Sequence, residues 1–399
     1  MQILQTMPCR VKSYEATING YNLTKTNLIS FDDVCNGGGG MLMPAAYSDY
    51  IGSFLYIPIL ARLFDLGTNT ATMIFFSVYG IFCILFSIAG LMKLYTNTKV
   101  KVYGCFIILF LGIFFIFISD TYSFYGLTSL ALLTWWSKIY LLKKKNIFKY
   151  IVLCLVTGII IGFANSVRGN SGTDVFISIF LLSMALIFVK QHYEKILSIF
   201  LILIPILILN FYLNELKKDS REYLINNTDI ENLTIDLNFE RAMWHNAYYS
   251  LGYLAQKDNK DVPEVSDSYS LWKAHQIDPT IVPYSKKYEN LLKNEYFSFI
   301  KKHPLLFIKI TASKFGVVLL YFIIFFNIGI YFFYKNKINL DLLIFFLPGI
   351  LFNSLFGLVT EPNYTYLLGM FAYSGIYTVN LMDDYYMSKI KFKNSLLNS

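Results

Sequence analysis

Residues 71–92 read ATMIFFSVYGIFCILFSIAGLM, an apolar run without a charged side chain. A helix of about 20 such residues spans the hydrocarbon core of a bilayer, so the run predicts a transmembrane helix. The whole chain has the same character, because 55% of its residues are hydrophobic, 15% are charged and its mean hydropathy is +0.49. Soluble domains average about 25% charged residues. The sequence therefore predicts an all-α, polytopic membrane protein.

Further apolar segments on both sides of a polar stretch bring the number of candidate spans to about nine. In chain order the candidates are 71–92, 102–118, 121–142, 149–164, 174–190, 195–213, 309–334, 339–358 and 364–382. Six of them form a predicted bundle at 70–213, and three belong to the C-terminal region 307–399. The polar stretch between them, residues 214–306, is predicted to be a soluble block that is helical in part. Apolar residues at helical spacing over 284–303, followed by Pro304, support a helix that ends there.

Lysine-rich loops alternate with lysine-poor loops along the chain, and this alternation predicts the orientation of the chain in the membrane. Cytoplasmic loops of membrane proteins carry an excess of Lys and Arg. The loops rich in lysine lie around 93–101, 138–149, 190–195, 335–337 and 389–393. This pattern places those loops and the C-terminus in the cytoplasm and the 214–306 block outside. It also accounts for the net charge of +8, so we expect contact with membrane lipids and no nucleic-acid partner. The bias towards Ile, Phe, Tyr, Asn and Lys is typical of an AT-rich bacterial genome, which predicts the bacterial cytoplasmic membrane.

Residues 1–69 are predicted to form an external loop although they contain no apolar span. Either this segment is translocated with the first span, or a membrane helix precedes residue 1, which is the alternative we favour. Residues 51–64 are too short for a confident span and predict an interfacial helix on the outer leaflet, with a short re-entrant segment as the other option. Cys9 and Cys35 can pair only if both face an oxidising compartment.

Polar residues at the external edges of the spans are the candidates for chemistry. Arg168, in the stretch NSVRGNSG at 165–172, is notable because the chain uses Lys almost everywhere else. Its planar fork suits bidentate binding of phosphate, although an arginine there also serves to reach lipid head groups. Five acidic residues share the external side: Asp32, Asp33, Asp49, Asp120 and Glu361. As solvated loop or helix-capping residues they need no catalytic role. No metalloprotease, paired CxxC or serine-hydrolase motif occurs, and the sequence leaves the need for a divalent cation open.

Three stretches carry a resemblance to a known group of enzymes. They are WHNAYYSLGY at 244–253, NSVRGNSG at 165–172, and Tyr288-Glu289 through His303-Pro304. Together with the order of spans and block over residues 31–382, they resemble the GT-C superfamily of polyprenyl-phosphate-sugar-dependent glycosyltransferases, close to the mannosyltransferase and aminoarabinose-transferase type. The resemblance implies a sugar donor linked to polyprenyl phosphate and an envelope glycan, lipid or protein as acceptor.

The resemblance also implies roles for individual residues. One of Asp32, Asp33 and Asp49 would be the base that deprotonates the acceptor, and Arg168 would neutralise the departing lipid phosphate. The block would shape the acceptor site. Its predicted substrate-binding residues are Trp244, His245 and Tyr248, joined by Asp120 and Glu361.

Two other functions fit the same topology. A flippase or transporter of lipid-linked oligosaccharide would require charges at mid-membrane depth and repeat symmetry between its halves, and the sequence shows little of either. An O-antigen-type polymerase that joins preassembled repeat units shares the topology and the loop arginine. The sequence separates it poorly from the transferase.

Overall fold

The computed structural model of the chain describes nearly all residues from 51 onwards, and these are helical, with no strand among them. Thirteen α-helices are described. They are α1 (Ile51–Leu63), α2 (Thr68–Leu94), α3 (Thr98–Ile118), α4 (Ser123–Ile139), α5 (Ile147–Val167), α6 (Thr173–Lys190), α7 (Glu194–Asn227), α8 (Met243–Tyr249), α9 (Asp267–Ile277), α10 (Lys286–Lys302), α11 (Pro304–Lys335), α12 (Leu340–Val359) and α13 (Leu368–Leu397). The described residues are 51–118, 121–139, 147–190, 194–227, 243–253, 262, 265–281, 285–336 and 339–397.

Six of these helices are long and apolar enough to cross a membrane: α2, α3, α5, α7, α11 and α12. The apolar part of α6, Thr173–Phe188, is shorter. This confirms the class of all-helical, multi-pass membrane protein. Each of the nine predicted spans overlaps a described helix, but the number nine, the sidedness of the loops and the cytoplasmic C-terminus stay predictions. The helix predicted over 51–64 is present as α1, and its interfacial placement stays a prediction too.

The chain divides into two compact units. The bundle unit comprises Thr72–Phe211, Leu319–Leu355 and Asn363–Ser399. The block unit comprises Met1–Ala71, Tyr212–Val318 and Phe356–Pro362.

Within the bundle unit, α4 and α13 pack against each other and are the most deeply buried helices. Polar side chains on α4 form hydrogen bonds with several neighbouring helices. Thr128 Oγ1 lies 2.8 Å from the Tyr79 hydroxyl of α2, and the indole N–H of Trp136 donates to Thr157 Oγ1 of α5 at 2.8 Å. Such small and hydroxylated residues are typical of contacts between membrane helices. The two innermost helices are therefore less apolar than the six that meet the length and hydropathy criteria.

Helix α3 shows why the outer helices are more apolar than the inner ones. One of its faces is buried and includes Gly104, Ile108, Leu111 and Phe115. The opposite face is exposed and equally apolar, with Val102, Phe106, Phe110, Ile113 and Phe117. A helix that is hydrophobic all round belongs in a core or in a membrane. The exposed face of α3 is therefore suited to lipid.

The block unit has a hydrophobic core of its own, built by α8, α9 and α10. Its buried members are Tyr248, Leu251, Val262, Ala274, Ile281, Tyr288, Leu292, Phe299 and Ile310. Ser285 caps α10 by accepting a hydrogen bond from the Tyr288 N–H at 3.1 Å. Helix α10 ends at Lys302, and Pro304 is the first residue of α11, where a missing N–H costs nothing. The prediction that residues 214–306 include folded helical structure is thus consistent with a described core.

An ion pair joins the end of α9 to the start of α10 and lowers the pKa of its carboxylate. The Lys287 ammonium 2.6 Å from Asp278 Oδ2 is the main cause of an Asp278 pKa of about 2, with hydrogen bonds from Thr280 adding to it. The pKa of an unfolded Asp is about 3.9. The stabilisation is therefore present above about pH 4 and is lost as the pH falls towards about 2.

We expect Asp278→Asn to flatten the pH dependence of stability between about pH 4 and pH 2, because it removes the titrating group. Thermal unfolding of the purified full-length protein across this range measures the effect. Added salt should weaken this pH dependence in the wild type, since Lys287 is largely exposed. An unchanged pH profile in the variant would contradict the ion pair.

Candidate functional site

Arg168 lies in the tight connection between α5 and α6. Its backbone N–H donates to the Ala164 carbonyl at 2.8 Å and thereby continues the last turn of α5. Asn170 and Gly172 then adopt positive φ angles of 71° and 79°, a backbone conformation that Asn and Gly tolerate best. Helix α6 starts at Thr173, only five residues after Arg168. The NSVRGNSG stretch thus fixes the arginine at the shared end of two apolar helices.

The Arg168 side chain lies against aromatic rings and is only 9% exposed. Its guanidinium carbon is 3.8 Å from the ring centroid of Tyr122 and 5.8 Å from that of Tyr125. Cation–π contacts of this kind contribute roughly 0.5–2 kcal/mol, with the higher values at desolvated sites. The rings hold the flat face of the guanidinium, and its N–H donors lie in the plane around the edge.

Hydrogen bonds fix the two tyrosine rings. The Tyr122 hydroxyl donates to the Tyr366 hydroxyl at 3.1 Å, and the Tyr125 hydroxyl donates to the Gly169 carbonyl at 2.9 Å. Tyr366 belongs to a short 3₁₀ helix, Tyr364–Leu367, that precedes α13. We call Arg168, Tyr122, Tyr125 and Tyr366 the Arg168 site. It combines one permanent positive charge with phenolic hydroxyls at the end of the apolar helices.

A buried carboxylate, that of Asp174, lies six residues after Arg168, in the first turn of α6. Asp174 is 2% exposed and accepts hydrogen bonds from Ser129 Oγ at 2.6 Å, Asn353 Nδ2 at 2.8 Å and the Val175 N–H at 2.9 Å. A carboxylate is favoured in the first turn of a helix, where backbone N–H groups point towards it. We call Asp174, Ser129 and Asn353 the Asp174 network. It connects α6 to α4 and α12.

Close packing supports this network. Asn353 is 1% exposed and its amide also donates to the Gly349 carbonyl at 2.8 Å. The Asn353 amide group lies against Gly369, and a Cβ at that position would overlap it. Glycine is therefore required at 369 by the close approach of α12 and α13. The buried carboxylate is held by side chains that have little room to move.

The Trp244-His245 run, predicted to bind substrate, lies in the block unit and is largely buried. The Glu289 carboxylate accepts the N–H of Trp244 at 2.8 Å and that of His245 at 3.2 Å, and so caps α8. His245 is 2% exposed, and its Nδ1 shares a hydrogen bond with the Tyr288 hydroxyl. Burial and these bonds favour a structural role for His245 over the substrate contact predicted for it.

The other two aromatic candidates of the block differ in exposure. Tyr248 is 2% exposed and belongs to the core of the unit, so its ring packs against protein on both faces. Trp244 is half-buried between Tyr296 and Phe297, and Lys293 lies 5.5 Å from its ring centroid. Of the three residues of this run predicted to bind substrate, Trp244 alone is partly exposed.

Glu361 follows the C-terminal end of α12, close to a buried lysine of the same unit. Lys314 Nζ donates to the Thr360 carbonyl at 2.6 Å and to the Leu358 carbonyl at 3.3 Å. A cation is favoured at the end of a helix, where carbonyl groups lack partners. Glu361 is half-buried beside this cap. Its predicted contact with acceptor stays a prediction.

The remaining candidates lie outside the described residues. These are Asp32, Asp33, Asp49 and Asp120, together with Cys9 and Cys35. Within the described parts of the chain, no group of three or more His, Cys, Asp or Glu side chains is placed to hold a metal ion.

The sequence selected Arg168 but not the residues around it. Tyr122, Tyr125 and Tyr366 had no distinguishing signal, because the chain contains 31 tyrosines. Asp174 did have one, since a carboxylate at the start of an apolar segment is a functional candidate by default. In comparisons with protein-family models, curated proteins and solved structures, no match to this chain was found.

Proposed function

We propose that the protein is a membrane glycosyltransferase of the GT-C type. In this proposal it moves a sugar from a polyprenyl-phosphate donor to a cell-envelope acceptor at the outer face of a bacterial cytoplasmic membrane. The observation that carries the proposal is the Arg168 guanidinium, held 3.8 Å from the Tyr122 ring at the shared end of two apolar helices. In a polyprenyl phosphate the charged group is attached directly to the membrane-embedded chain, so the phosphate lies at the level of the helix ends, where Arg168 is placed in this proposal.

Arg168 has the chemistry that such a donor requires. Transfer forms a bond between the acceptor oxygen and the anomeric carbon and breaks the bond from that carbon to the phosphate oxygen. The phosphate leaves with the electron pair, and the acceptor proton passes to a base. A fixed cation that stabilises the negative charge developing on the phosphate lowers the barrier. Arginine keeps its charge even when it is mostly buried, because its guanidinium is a very strong base.

The neighbouring residues support this assignment of roles. Stacking on Tyr122 and Tyr125 orients the guanidinium before a ligand arrives, which reduces the entropy lost on binding. The hydroxyl of half-buried Tyr366, which accepts the hydrogen bond from Tyr122, adds a second phenolic group to the site. The base is expected among Asp32, Asp33 and Asp49, on the resemblance described above. Asp174 suits a supporting role, because three donors already hold its carboxylate.

Binding of a lipid phosphate tests the role of Arg168 without knowledge of the sugar. We expect a short-chain polyprenyl phosphate to stabilise the purified protein, and Arg168→Lys to weaken its affinity about 10–100-fold. A hydrogen bond to a charged group contributes about 1.5–3 kcal/mol, and about 1.4 kcal/mol corresponds to a tenfold change. Lysine keeps the charge but loses the planar fork. Titrations monitored by thermal unfolding give the affinities.

Two controls make this result specific. The matching polyprenol, which lacks the phosphate, should bind wild type and Arg168→Lys equally weakly. Arg62→Lys changes an exposed arginine at the end of α1 and should bind like wild type. Equal affinity of wild type and Arg168→Lys for the phosphate would remove Arg168 from the site. Turnover of a polyprenyl-phosphate monosaccharide identifies a transferase, whereas a requirement for a pyrophosphate-linked oligosaccharide identifies a polymerase.

A further inference from the structure

A second buried polar cluster of the bundle unit lies at the C-terminal end of α4. Lys138 Nζ donates to Asp383 Oδ2 of α13 at 2.7 Å and lies 3.8 Å from Asp384 Oδ1. The same ammonium group is 4.9 Å from the ring centroid of Tyr95. We call Lys138, Ser137, Tyr95, Asn380, Asp383 and Asp384 the Lys138 cluster.

Uncharged members of the cluster continue it into the core. The Asn380 amide N–H₂ donates to Ser137 Oγ at 3.2 Å and to the Ile376 carbonyl at 2.9 Å. Ser137 Oγ also lies 3.3 Å from the Tyr95 hydroxyl. Asn380 is fully buried, and Ser137 and Tyr95 are each 1% exposed. The cluster therefore ties together α4, α13 and the connection between α2 and α3.

Among the residues that the structure describes, no hydrogen-bond donor reaches two of the oxygen acceptors in this cluster. They are Asn380 Oδ1 and Asp383 Oδ1, and their residues, three positions apart on α13, are 0% and 6% exposed. A buried acceptor without a partner costs about 1–3 kcal/mol, and more when it is charged. Residues three apart share one face of a helix. Both oxygens thus belong to a face of α13 that the other polar contacts leave incomplete.

The charge of the cluster adds a second indication. Lys138 supplies one positive charge, and Asp383 and Asp384 supply two negative charges, so these three described side chains carry a net charge of −1. Two other described lysines contact aromatic rings: Lys93 Nζ lies 5.6 Å from the ring centroid of Trp135, and Lys99 Nζ lies 6.0 Å from that of Tyr386. One added positive charge would balance the cluster.

We propose that Asp383 and Asn380 bind a monovalent metal cation of the sodium class. Carboxylate and amide carbonyl oxygens are the ligands that hard cations prefer. A single positive charge matches the deficit of the cluster, whereas a divalent ion would overcompensate it. The bound cation gives both acceptors a partner and fastens α13 next to its contact with α4.

The test is the stability of the purified full-length protein in sodium chloride and in choline chloride at equal total chloride. A cation that binds only the folded state raises the unfolding midpoint as its concentration exceeds its Kd. We expect sodium to raise the midpoint and choline, which is too large for the site, to leave it unchanged. Asp383→Asn and Asn380→Ala should each lose the sodium-dependent shift.

Asp384→Asn is the matched control. It removes the same charge one residue away, but its two carboxylate oxygens already have Lys138 and Asn339 as partners. It should therefore retain the shift. Asn380→Ala changes no charge and leaves the Lys138–Asp383 pair in place, so it decides the question if Asp383→Asn does not fold.

Three outcomes would overturn the proposal. Equal midpoints in sodium and choline would assign the two acceptors to water. A midpoint that follows pH but not sodium would assign them to a proton. A sodium-dependent shift that is the same in wild type and Asn380→Ala would place the cation elsewhere.

Discussion

Asp174→Ala is expected to lower the free energy of unfolding of the bundle unit by about 2–5 kcal/mol. The change removes the acceptor for a buried N–H of the Asn353 amide, whereas the buried Ser129 hydroxyl can still donate to the Tyr125 carbonyl, which lies 2.8 Å away. Each buried donor left without an acceptor costs roughly 1–3 kcal/mol. The Val175 N–H at the start of α6 loses its partner as well. Thermal unfolding of the purified protein in detergent, followed by light scattering or tryptophan fluorescence, measures the loss.

Asp174→Asn is the matched variant, because it has nearly the same shape. Ser129 Oγ and Asn353 Nδ2 both donate to Oδ2 of Asp174, so an amide oxygen in that position keeps both hydrogen bonds. Only the Val175 N–H, which donates to Oδ1, loses its acceptor to the amide N–H₂. We expect Asp174→Asn to lose much less stability than Asp174→Ala. Equal midpoints for Asp174→Ala and wild type would show that the network contributes nothing to stability.

A double-mutant cycle separates the network from general damage at this position. Asn353→Ala should destabilise the wild type more than it destabilises Asp174→Ala, because the hydrogen bond between them is already absent in the second background. Contacting residues of this kind couple by about 0.5–3 kcal/mol. Purely additive effects would contradict the contact between α6 and α12.

The helices were predictable from sequence, whereas their order of burial was not. Apolar runs such as 71–92 and 102–118 identify α2 and α3 within a few residues, because length and hydropathy are local properties. That α4 and α13 lie innermost depends on contacts between distant segments. One feature of the sequence does indicate their central position, namely the polar residues that they contain. Side chains such as those of Ser129, Ser137 and Asn380 need hydrogen-bond partners inside a bundle.

Of the four residues of the Arg168 site, only Arg168 could be selected from the sequence. Arg168 is conspicuous because arginine is rare in this chain. An arginine where the chain otherwise uses lysine indicates a role that requires the guanidinium group. Its partners come from elsewhere: the Tyr122 and Tyr366 hydroxyls meet although 244 positions separate them in the chain. No local pattern marks such a pair. The donor, the acceptor and the base stay predictions that the proposed binding and turnover experiments address.

The Trp244-His245 run shows the opposite case, in which a conspicuous motif has a structural explanation. The resemblance to the GT-C superfamily predicted substrate binding for this run. The structure buries His245 and Tyr248 within the block unit and leaves Trp244, on α8, half-buried against Phe297 of α10. A histidine with a tyrosine partner is a stable way to fill a core, and the sequence does not distinguish it from a ligand-binding one.

Glu289→Ala is expected to release α8 from α10 by removing the acceptor for two backbone N–H groups. Its carboxylate is 6% exposed and accepts the N–H of Trp244 and of His245. Hydrogen bonds to a charged group contribute about 1.5–3 kcal/mol each, so we expect a local loss of about 2–4 kcal/mol. Hydrogen–deuterium exchange of peptides covering 243–253 should then be at least about 30-fold faster.

The control for Glu289→Ala is Glu295→Ala, which removes a half-buried carboxylate from the same helix. It should leave the exchange of 243–253 at the wild-type rate. Glu289→Gln keeps one amide oxygen as an acceptor and should fall between the two. If Glu289→Ala left the exchange rate unchanged, the carboxylate would not be the cap of α8. If it abolished sugar transfer while the binding of polyprenyl phosphate persisted, the block unit would act on the acceptor side of the proposed reaction, because Glu289 holds the segment that contains Trp244.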